Sequence, residues 1–126
     1  MAEQVIKGVT LAGEAVAPIT ARLVTSDSFV PGSVLLCPTP APRDFAHIMA
    51  SAAILCTVGG RAGHLSSFCR ARGIPVLLIE EGDLLHLPPG ADVFVDPRHG
   101  TVAAITHEVT GLPPAARLGL PRADRP

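Results

Sequence analysis

Residues 57–78, TVGGRAGHLSSFCRARGIPVLL, constrain the fold of this chain more than any other segment. An apolar strand leads into the double glycine Gly59-Gly60, and His64 stands four residues after the second glycine. The pattern then predicts an amphipathic helix that ends at Gly73, and a second apolar strand that begins just after Pro75. This arrangement places His64 where a short helix begins. Backbone N–H groups lack partners at that end of a helix, and together with the helix dipole they favour an anion.

Length and composition limit what the chain can be. At 126 residues, with 48% apolar and 17% charged residues, it is long enough and apolar enough for one globular domain with its own core. The net charge of -1 argues against a broad nucleic-acid-binding surface, which needs a basic patch. No apolar run reaches the length of a membrane span, and the N-terminus does not resemble a signal peptide. We therefore expect a cytoplasmic protein that contacts neither nucleic acid nor membrane.

The three cysteines, Cys37, Cys56 and Cys69, are odd in number and lie in apolar surroundings. Buried free thiols in a reducing compartment explain them best. The alternative is a zinc site formed by Cys56, His64 and Cys69. It is disfavoured because these residues lack the close CxxC pairing typical of zinc sites, so we predict no metal site in this chain.

Apolar runs and turn residues outline the rest of the chain. They predict strands over 5–9, 15–24, 33–37, 53–57, 76–79, 93–95 and 101–105, with helices over 44–50 and 65–72. Pro18 should bend the second strand, and 96–100 should form a hairpin loop stabilised by Asp96. Parallel strands joined by short helices, with hairpins on either side, indicate a mixed α/β domain. We predict this domain over 1–106 and a flexible Pro/Arg-rich tail over 107–126.

The two predicted helices are both amphipathic. Asp44 should cap the first, with Phe45, Ile48 and Met49 on its inner face. In the second, the inner face should carry Leu65, Phe68 and Cys69, and the outer face Ser66, Arg70 and Arg72. Gly73 suits the left-handed conformation just after a helix. The other histidines are scattered and are expected at the surface: His47, His86, His99 and His107.

Taken together, these motifs resemble the mobile phosphohistidine domain of enzymes that use phosphoenolpyruvate. Pyruvate phosphate dikinase, phosphoenolpyruvate synthase, rifampin phosphotransferase and the first enzyme of the sugar phosphotransferase system carry it. The resemblance covers about residues 5–105. It rests on Gly59-Gly60, His64, Ala71-Arg72 and Gly73-Ile74-Pro75, and on the segments PGSVL at 31–35, GADVFVD at 90–96 and GTV at 100–102.

The resemblance implies a swivelling β/β/α fold with a mixed sheet and short helices. It also implies that His64 accepts a phosphoryl group as the catalytic nucleophile. The groups expected to hold the phosphate surround that position: Gly60, Arg61, Gly63, Leu65, Ser66 and Ser67.

Transfer to His64 requires a donor that this chain does not bind. The sequence contains no GxxxxGK[ST] loop and no carboxylate set for a Mg²⁺–nucleotide complex. The resemblance therefore implies no cofactor in this chain. It places Mg²⁺ and ATP, or phosphoenolpyruvate, on a partner: an ATP-grasp-like nucleotide-binding subunit, a subunit that binds phosphoenolpyruvate or the acceptor, or both.

Two departures keep other functions open. Ala62-Gly63 stands where the family has Thr-Ser or Thr-Cys, and Val58 stands where the family has an acidic residue. One alternative is a non-catalytic swivelling or regulatory binding module that has lost phosphotransfer. Another is a swivelling module of a different enzyme class, such as a hydro-lyase, which would not need His64.

Overall fold

The computed structural model describes residues 5–57 and 62–105, without the side chains of 62–64. Eight strands, two α-helices and three 3₁₀ turns follow one another in these ranges. The strands are β1 (Val5–Lys7), β2 (Val9–Ala12), β3 (Ile19–Val24), β4 (Val34–Leu36), β5 (Ala53–Cys56), β6 (Val76–Leu78), β7 (Asp92–Asp96) and β8 (Thr101–Ile105). The helices are α1 (Phe45–Met49) and α2 (Ala62–Arg72), and the 3₁₀ turns are Ser26–Ser28, Pro42–Asp44 and Glu81–His86. The predicted tail at 107–126 lies outside the described residues.

The strands form a mixed sheet in the order β1-β8-β7-β3-β4-β5-β6-β2. Strands β3 to β6 are parallel neighbours, and the remaining pairs are antiparallel. Helix α1 connects β4 to β5, and α2 connects β5 to β6, as parallel neighbours require a crossover. The predicted mixed α/β fold is confirmed.

The side chains of the parallel strands alternate between two cores. Along β5, Ala53 and Leu55 join the core beneath the antiparallel strands β1, β7 and β8, whereas Ile54 and Cys56 join the core beneath the helices. Leu35 of β4 lies in the second core together with Ile48 of α1. Because both faces of β4, β5 and β6 are covered, their sequences are continuous apolar runs. The result is three layers, antiparallel strands, parallel strands and helices, which is the expected β/β/α architecture.

The predicted strand over 5–9 is two strands, divided at Gly8. Strand β1 pairs with β8 at one end of the strand order, and β2 pairs with β6 at the other. A Cβ on Gly8 would lie 2.5 Å from the carbonyl oxygen of Leu78, so only glycine allows this close approach. Two consecutive strands therefore connect the two ends of the strand order.

Other boundaries also differ from expectation. Strand β3 begins at Ile19 instead of residue 15, directly after Pro18, which lacks the N–H that a ladder needs. Helix α2 begins at Ala62, three residues before the predicted start, although Gly63 is a poor helix former. The 3₁₀ turn Glu81–His86 was not expected at all.

Several local expectations are confirmed. Gly73 has φ of 73° just past α2, as its left-handed role requires. Strands β7 and β8 pair as an antiparallel hairpin around 97–100. In its loop, Asp96 accepts a hydrogen bond from the backbone N–H of His99 and lies 2.7 Å from that residue's Nδ1. The pKa of Asp96 is held below its ordinary value, chiefly by this contact with His99.

Candidate functional site

The four parallel strands end at one edge of the sheet, which is where ligands bind in many α/β proteins. Strand β3 leads there into Ser26–Ser28, β4 into Cys37 and the turn Pro42–Asp44, and β5 into Thr57 and then α2. Position 64 therefore lies next to this edge, in the connection that leaves β5. We refer to it as the carboxyl edge.

Helix α2 brings His64 into its first turn. His64 is the third residue of the helix, and the first N–H groups of a helix have no acceptor within it. Of the predicted phosphate-binding residues, Gly63 and Leu65 belong to this first turn, whereas Ser66 and Ser67 follow it. Gly60 and Arg61 lie outside the described residues, as does the imidazole of His64.

The described part of α2 is attached to the domain along its length. Leu65 is half-buried and Cys69 fully buried against the helix-side core. Ser66 is only 9% exposed, so the prediction that it faces water is wrong, whereas Ser67 is exposed. Near the far end, the Arg70 guanidinium donates to the carbonyl of Leu11 and lies 3.5 Å from a carboxylate oxygen of Glu14. These contacts fix the helix that carries His64 against β5 and β2.

Thr57, just after β5, is hydrogen-bonded to the segment that follows the neighbouring strand β4. Its backbone N–H donates to the carbonyl oxygen of Pro38 at 3.0 Å, and its hydroxyl donates to the same oxygen at 3.3 Å. The end of β5 is therefore held against the segment that follows β4. This contact defines the point from which the chain runs toward His64.

A buried carboxylate organises the same edge, and the sequence did not indicate it. Asp44 is 6% exposed. It accepts hydrogen bonds from the Ser26 hydroxyl at 3.0 Å, the Cys37 thiol at 3.4 Å and the Ala41 N–H at 2.9 Å. Burial by itself raises the pKa of Asp44, but these hydrogen bonds and the nearby Arg43 hold that pKa below its ordinary value. One anion thus connects the segments that leave β3 and β4 to the start of α1.

The predicted capping role of Asp44 is wrong in one respect. Its side chain makes no hydrogen bond to an N–H of α1 and bonds instead to the turn that precedes this helix. The predicted inner face of α1 is also only partly right. Ile48 is buried and Met49 half-buried, but Phe45 is 49% exposed. Its ring contacts Phe68 of α2, with the two centroids 4.9 Å apart.

All three cysteines are buried and free, as predicted. Burial raises the pKa of the Cys37 thiol to about 12, with the neighbouring Asp44 adding to the effect, and raises those of Cys56 and Cys69 to about 11. Thiols with such pKa values are protonated at neutral pH, whereas zinc binds thiolates. Within the described ranges, no three His, Cys, Asp or Glu side chains are grouped as metal ligands.

The other described histidines differ from one another. His86 and His99 are exposed, as expected. His47 is half-buried, and its ring stacks on Phe29 with centroids 4.3 Å apart. Its Nδ1 is buried without a hydrogen-bond partner, so the prediction that His47 is a surface residue is wrong. His107 lies outside the described residues.

Comparison with known protein families agrees with this geometry. The family model described as "PEP-utilising enzyme, mobile domain" matches residues 29–100, more than half of the chain. The chain belongs to this family. The match runs from the loop before β4 to the end of the β7–β8 loop, so it includes α2 and the segments that leave β4, β5 and β6. No curated protein matches the chain.

Solved structures of several proteins share this fold. A UPF0107 protein solved by NMR has a TM-score of 0.61 at 12% identity, over 83% of this chain and 100% of that one. Aconitase X from Thermococcus kodakaraensis, in its holo form, has a TM-score of 0.56 at 16% identity, over 82% and 99%. Enzyme I, also solved by NMR, has a TM-score of 0.53 at 24% identity, over 66% and 34%. At these identities the similarity concerns the fold alone.

This mobile domain spans about one third of the Enzyme I chain. Domains of its family work together with partner domains in phosphoenolpyruvate-utilising enzymes. Among the helices in the described ranges, none is both long and apolar enough to cross a bilayer.

Proposed function

We propose that the chain is a phosphoryl carrier. In this proposal His64 accepts a phosphoryl group from ATP or phosphoenolpyruvate held by a partner and passes it to an acceptor. The observation that carries the proposal is the position of His64 in a member of this family. It lies in the first turn of α2, beside the carboxyl edge, with the family's Gly-Ile-Pro exit at 73–75.

The chemistry requires a neutral imidazole. A nitrogen lone pair attacks phosphorus in line, an N–P bond forms, the P–O bond to the donor breaks, and the leaving oxygen keeps the electron pair. An ordinary histidine, with a pKa of about 6.5, is largely neutral at pH 7. A helix N-terminus disfavours the imidazolium and favours the phosphorylated product, which carries roughly two negative charges. One location thus suits both the nucleophile and its product.

Gly60, Arg61, Gly63, Leu65, Ser66 and Ser67 are proposed to hold the phosphoryl group. Gly63 and Leu65 contribute their backbone N–H groups in the first turn of α2. Arg61 contributes positive charge. Ser67 is exposed and would contribute its hydroxyl from the surface. Ser66 is buried and would contribute from the packed face of α2.

Partner proteins supply the rest of the reaction. An ATP-grasp-like subunit, a subunit that binds phosphoenolpyruvate or the acceptor, or both, would hold Mg²⁺ and the donor. The fold supports such a division, because the described domain is a compact unit that presents position 64 near one edge of its sheet. Nucleic acid and membranes have no place in this proposal.

A donor that needs no partner tests the proposal first. The purified chain is incubated with phosphoramidate, a small reagent that phosphorylates histidine, and its intact mass is measured at alkaline pH. We expect one acid-labile phosphoryl group on His64 that is absent from His64→Ala. Because His86 and His99 are exposed, His86→Ala and His99→Ala are matched controls that should keep it. Incorporation confined to these other histidines would refute the carrier role.

A second incubation asks whether a biological donor is used. ATP or phosphoenolpyruvate is added with Mg²⁺ and an extract of the organism that encodes the chain. The alternative of a non-catalytic binding module is supported by Ala62-Gly63, which removes the hydroxyl that the family has before its histidine. The non-catalytic alternative is favoured if phosphoramidate modifies His64 but neither ATP nor phosphoenolpyruvate does so in any extract.

A further inference from the structure

An aromatic and cationic surface lies beside the first turn of α2. We call it the aromatic–arginine patch and define it as Arg43, Phe45, Phe68 and Arg72. Phe45 of α1 and Phe68 of α2 contact each other with centroids 4.9 Å apart and ring planes 52° apart. The guanidinium carbon of Arg72 lies 4.9 Å from the centroid of the Phe68 ring.

Aromatic residues are scarce in this chain. It has four phenylalanines and no Trp or Tyr, and two of the four, the exposed Phe45 and the half-buried Phe68, contact each other across the two helices. Phe45 is 49% exposed. Exposed aromatic side chains flanked by arginine are typical of the anchors at protein–protein interfaces.

The exposed charged side chains of the helix layer have one sign. The turn Pro42–Asp44, α1 and α2 carry three exposed arginines, Arg43, Arg70 and Arg72, and their only carboxylate, Asp44, is buried. Arg70 is paired with Glu14 of the neighbouring loop, and Arg43 lies near the carboxylate of Asp44, so Arg72 carries the exposed charge that no carboxylate of these elements offsets. The acidic residues Glu80, Glu81 and Asp83 follow β6, outside the helix layer.

The patch also continues the proposed phosphoryl site. Positions 64 and 68 are four residues apart on α2, so they occupy the same face of the helix, one turn apart. A protein that reaches His64 along this face therefore covers Phe68 and Phe45 as well. From these observations we infer that the patch is the docking surface for an acidic surface of the protein that phosphorylates His64. The inference rests on the proposed function and adds the chemistry of the partner.

Two pairs of variants separate docking from chemistry. Phe45→Ser removes an exposed apolar side chain from the patch, and Leu85→Ser removes one that is 87% exposed and lies elsewhere. Arg72→Glu reverses an exposed charge in the patch, and Arg98→Glu reverses one in the β7–β8 loop. Arg72→Lys keeps the charge and is the conservative rescue. Each full-length variant is expressed in the organism that encodes the chain, and the fraction carrying phosphate on His64 is measured by mass at alkaline pH.

We expect Phe45→Ser and Arg72→Glu to lower the initial rate of His64 phosphorylation in cell extract by about fivefold or more, as for an interface anchor worth about 1 kcal/mol. The fraction phosphorylated in cells should fall with it, and the rate with phosphoramidate should stay within about twofold of the parent, because that donor needs no docking. Leu85→Ser, Arg98→Glu and Arg72→Lys should resemble the parent in all assays. Added NaCl should slow extract-driven phosphorylation of the parent, and Arg72→Glu should weaken this salt dependence.

Each other outcome has a definite meaning. If patch variants and their controls are phosphorylated equally in extract, the docking inference is wrong and the carrier function stands. If Phe45→Ser matters but charge and salt do not, the partner surface is not acidic and the inference fails in that part. If the parent carries no phosphate on His64 in cells or extract, the proposed function itself fails. Should Phe45→Ser unfold, Arg72→Glu at the exposed Arg72 decides alone.

Discussion

Removing the carboxylate of Asp44 should destabilise the domain more than its short side chain suggests. Asp44→Ala leaves the Ala41 N–H and the Ser26 hydroxyl without their acceptor, and the Cys37 thiol without a weaker one. Two charge-assisted hydrogen bonds at about 1.5 kcal/mol each suggest a loss of about 3 kcal/mol. Relief of the carboxylate's burial returns about 1 kcal/mol of this, so the expected loss is about 2 kcal/mol.

Thermal and urea unfolding measure this loss. For a domain of this size, about 2 kcal/mol corresponds to a fall in melting temperature of roughly 10 °C. Ser26→Ala removes one of the three donors and should cost less. Asp96→Ala is the matched control, since Asp96 also has a lowered pKa but its carboxylate contacts His99, three residues along the same hairpin, so a smaller change is expected.

The pH dependence gives an independent check. Because folding lowers the pKa of Asp44, its ionised form stabilises the native state above the unfolded pKa of about 3.9. That stabilisation is lost as the pH falls through the lower folded-state pKa. The difference in stability between the parent and Asp44→Asn should therefore be largest near neutrality and shrink below about pH 4. If the melting temperature of Asp44→Ala lies within about 2 °C of the parent, and the stability difference for Asp44→Asn does not change with pH, the assigned role of Asp44 is refuted.

Three further predictions concern packing and thiol chemistry. Gly8→Ala should cost about 2 kcal/mol or more, because its Cβ would lie 2.5 Å from the Leu78 carbonyl oxygen, whereas Gly82→Ala meets open space and should change chemical denaturation little. Leu55→Ala should cost about 3 kcal/mol in the same assay by opening a cavity in the core, and a loss under about 1 kcal/mol would contradict that placement. At pH 8 the folded chain should react slowly with a thiol reagent and release all three thiols only in denaturant, since their pKa values are raised to about 11 or 12; fast labelling of the native chain would count against their burial.

The sequence predicted the elements that are defined by a short run of neighbouring residues. The runs VLL, AILC and VLL of β4, β5 and β6 are continuous because each strand is covered on both faces. Gly73 was predictable because a helix end needs a left-handed residue. The β7–β8 hairpin was predictable from alternating residues around a turn.

Sequence patterns failed where distant contacts decide the structure. The hydrogen-bond partners of Asp44 include Ser26, 18 residues earlier, and no periodic pattern relates the two positions. Helix α1 has only five residues, too few for an amphipathic pattern to fix whether Phe45 turns inward or toward Phe68. Gly8 gave no sign that it divides two strands, because that division depends on its approach to β6.

The placement of position 64 at the start of a helix was predictable, but the local geometry around it was not. His64 followed from the strand, the double glycine and the helix around it. The predicted helix began at Leu65, just after His64, whereas α2 begins at Ala62. Ser66 was assigned to water by its polarity, yet it is buried, because the burial of a helix residue depends on all the elements around it.

The central claim is that His64 carries a phosphoryl group in the living cell. The most direct measurement is to isolate the chain from its own organism under alkaline conditions and to map any acid-labile phosphate to a residue by peptide mass spectrometry, with His64→Ala in parallel. We expect phosphate at position 64 that disappears on acid treatment and is absent from the variant. Phosphate that persists unchanged in His64→Ala, or a parent protein that never carries it under any growth condition, would contradict the account.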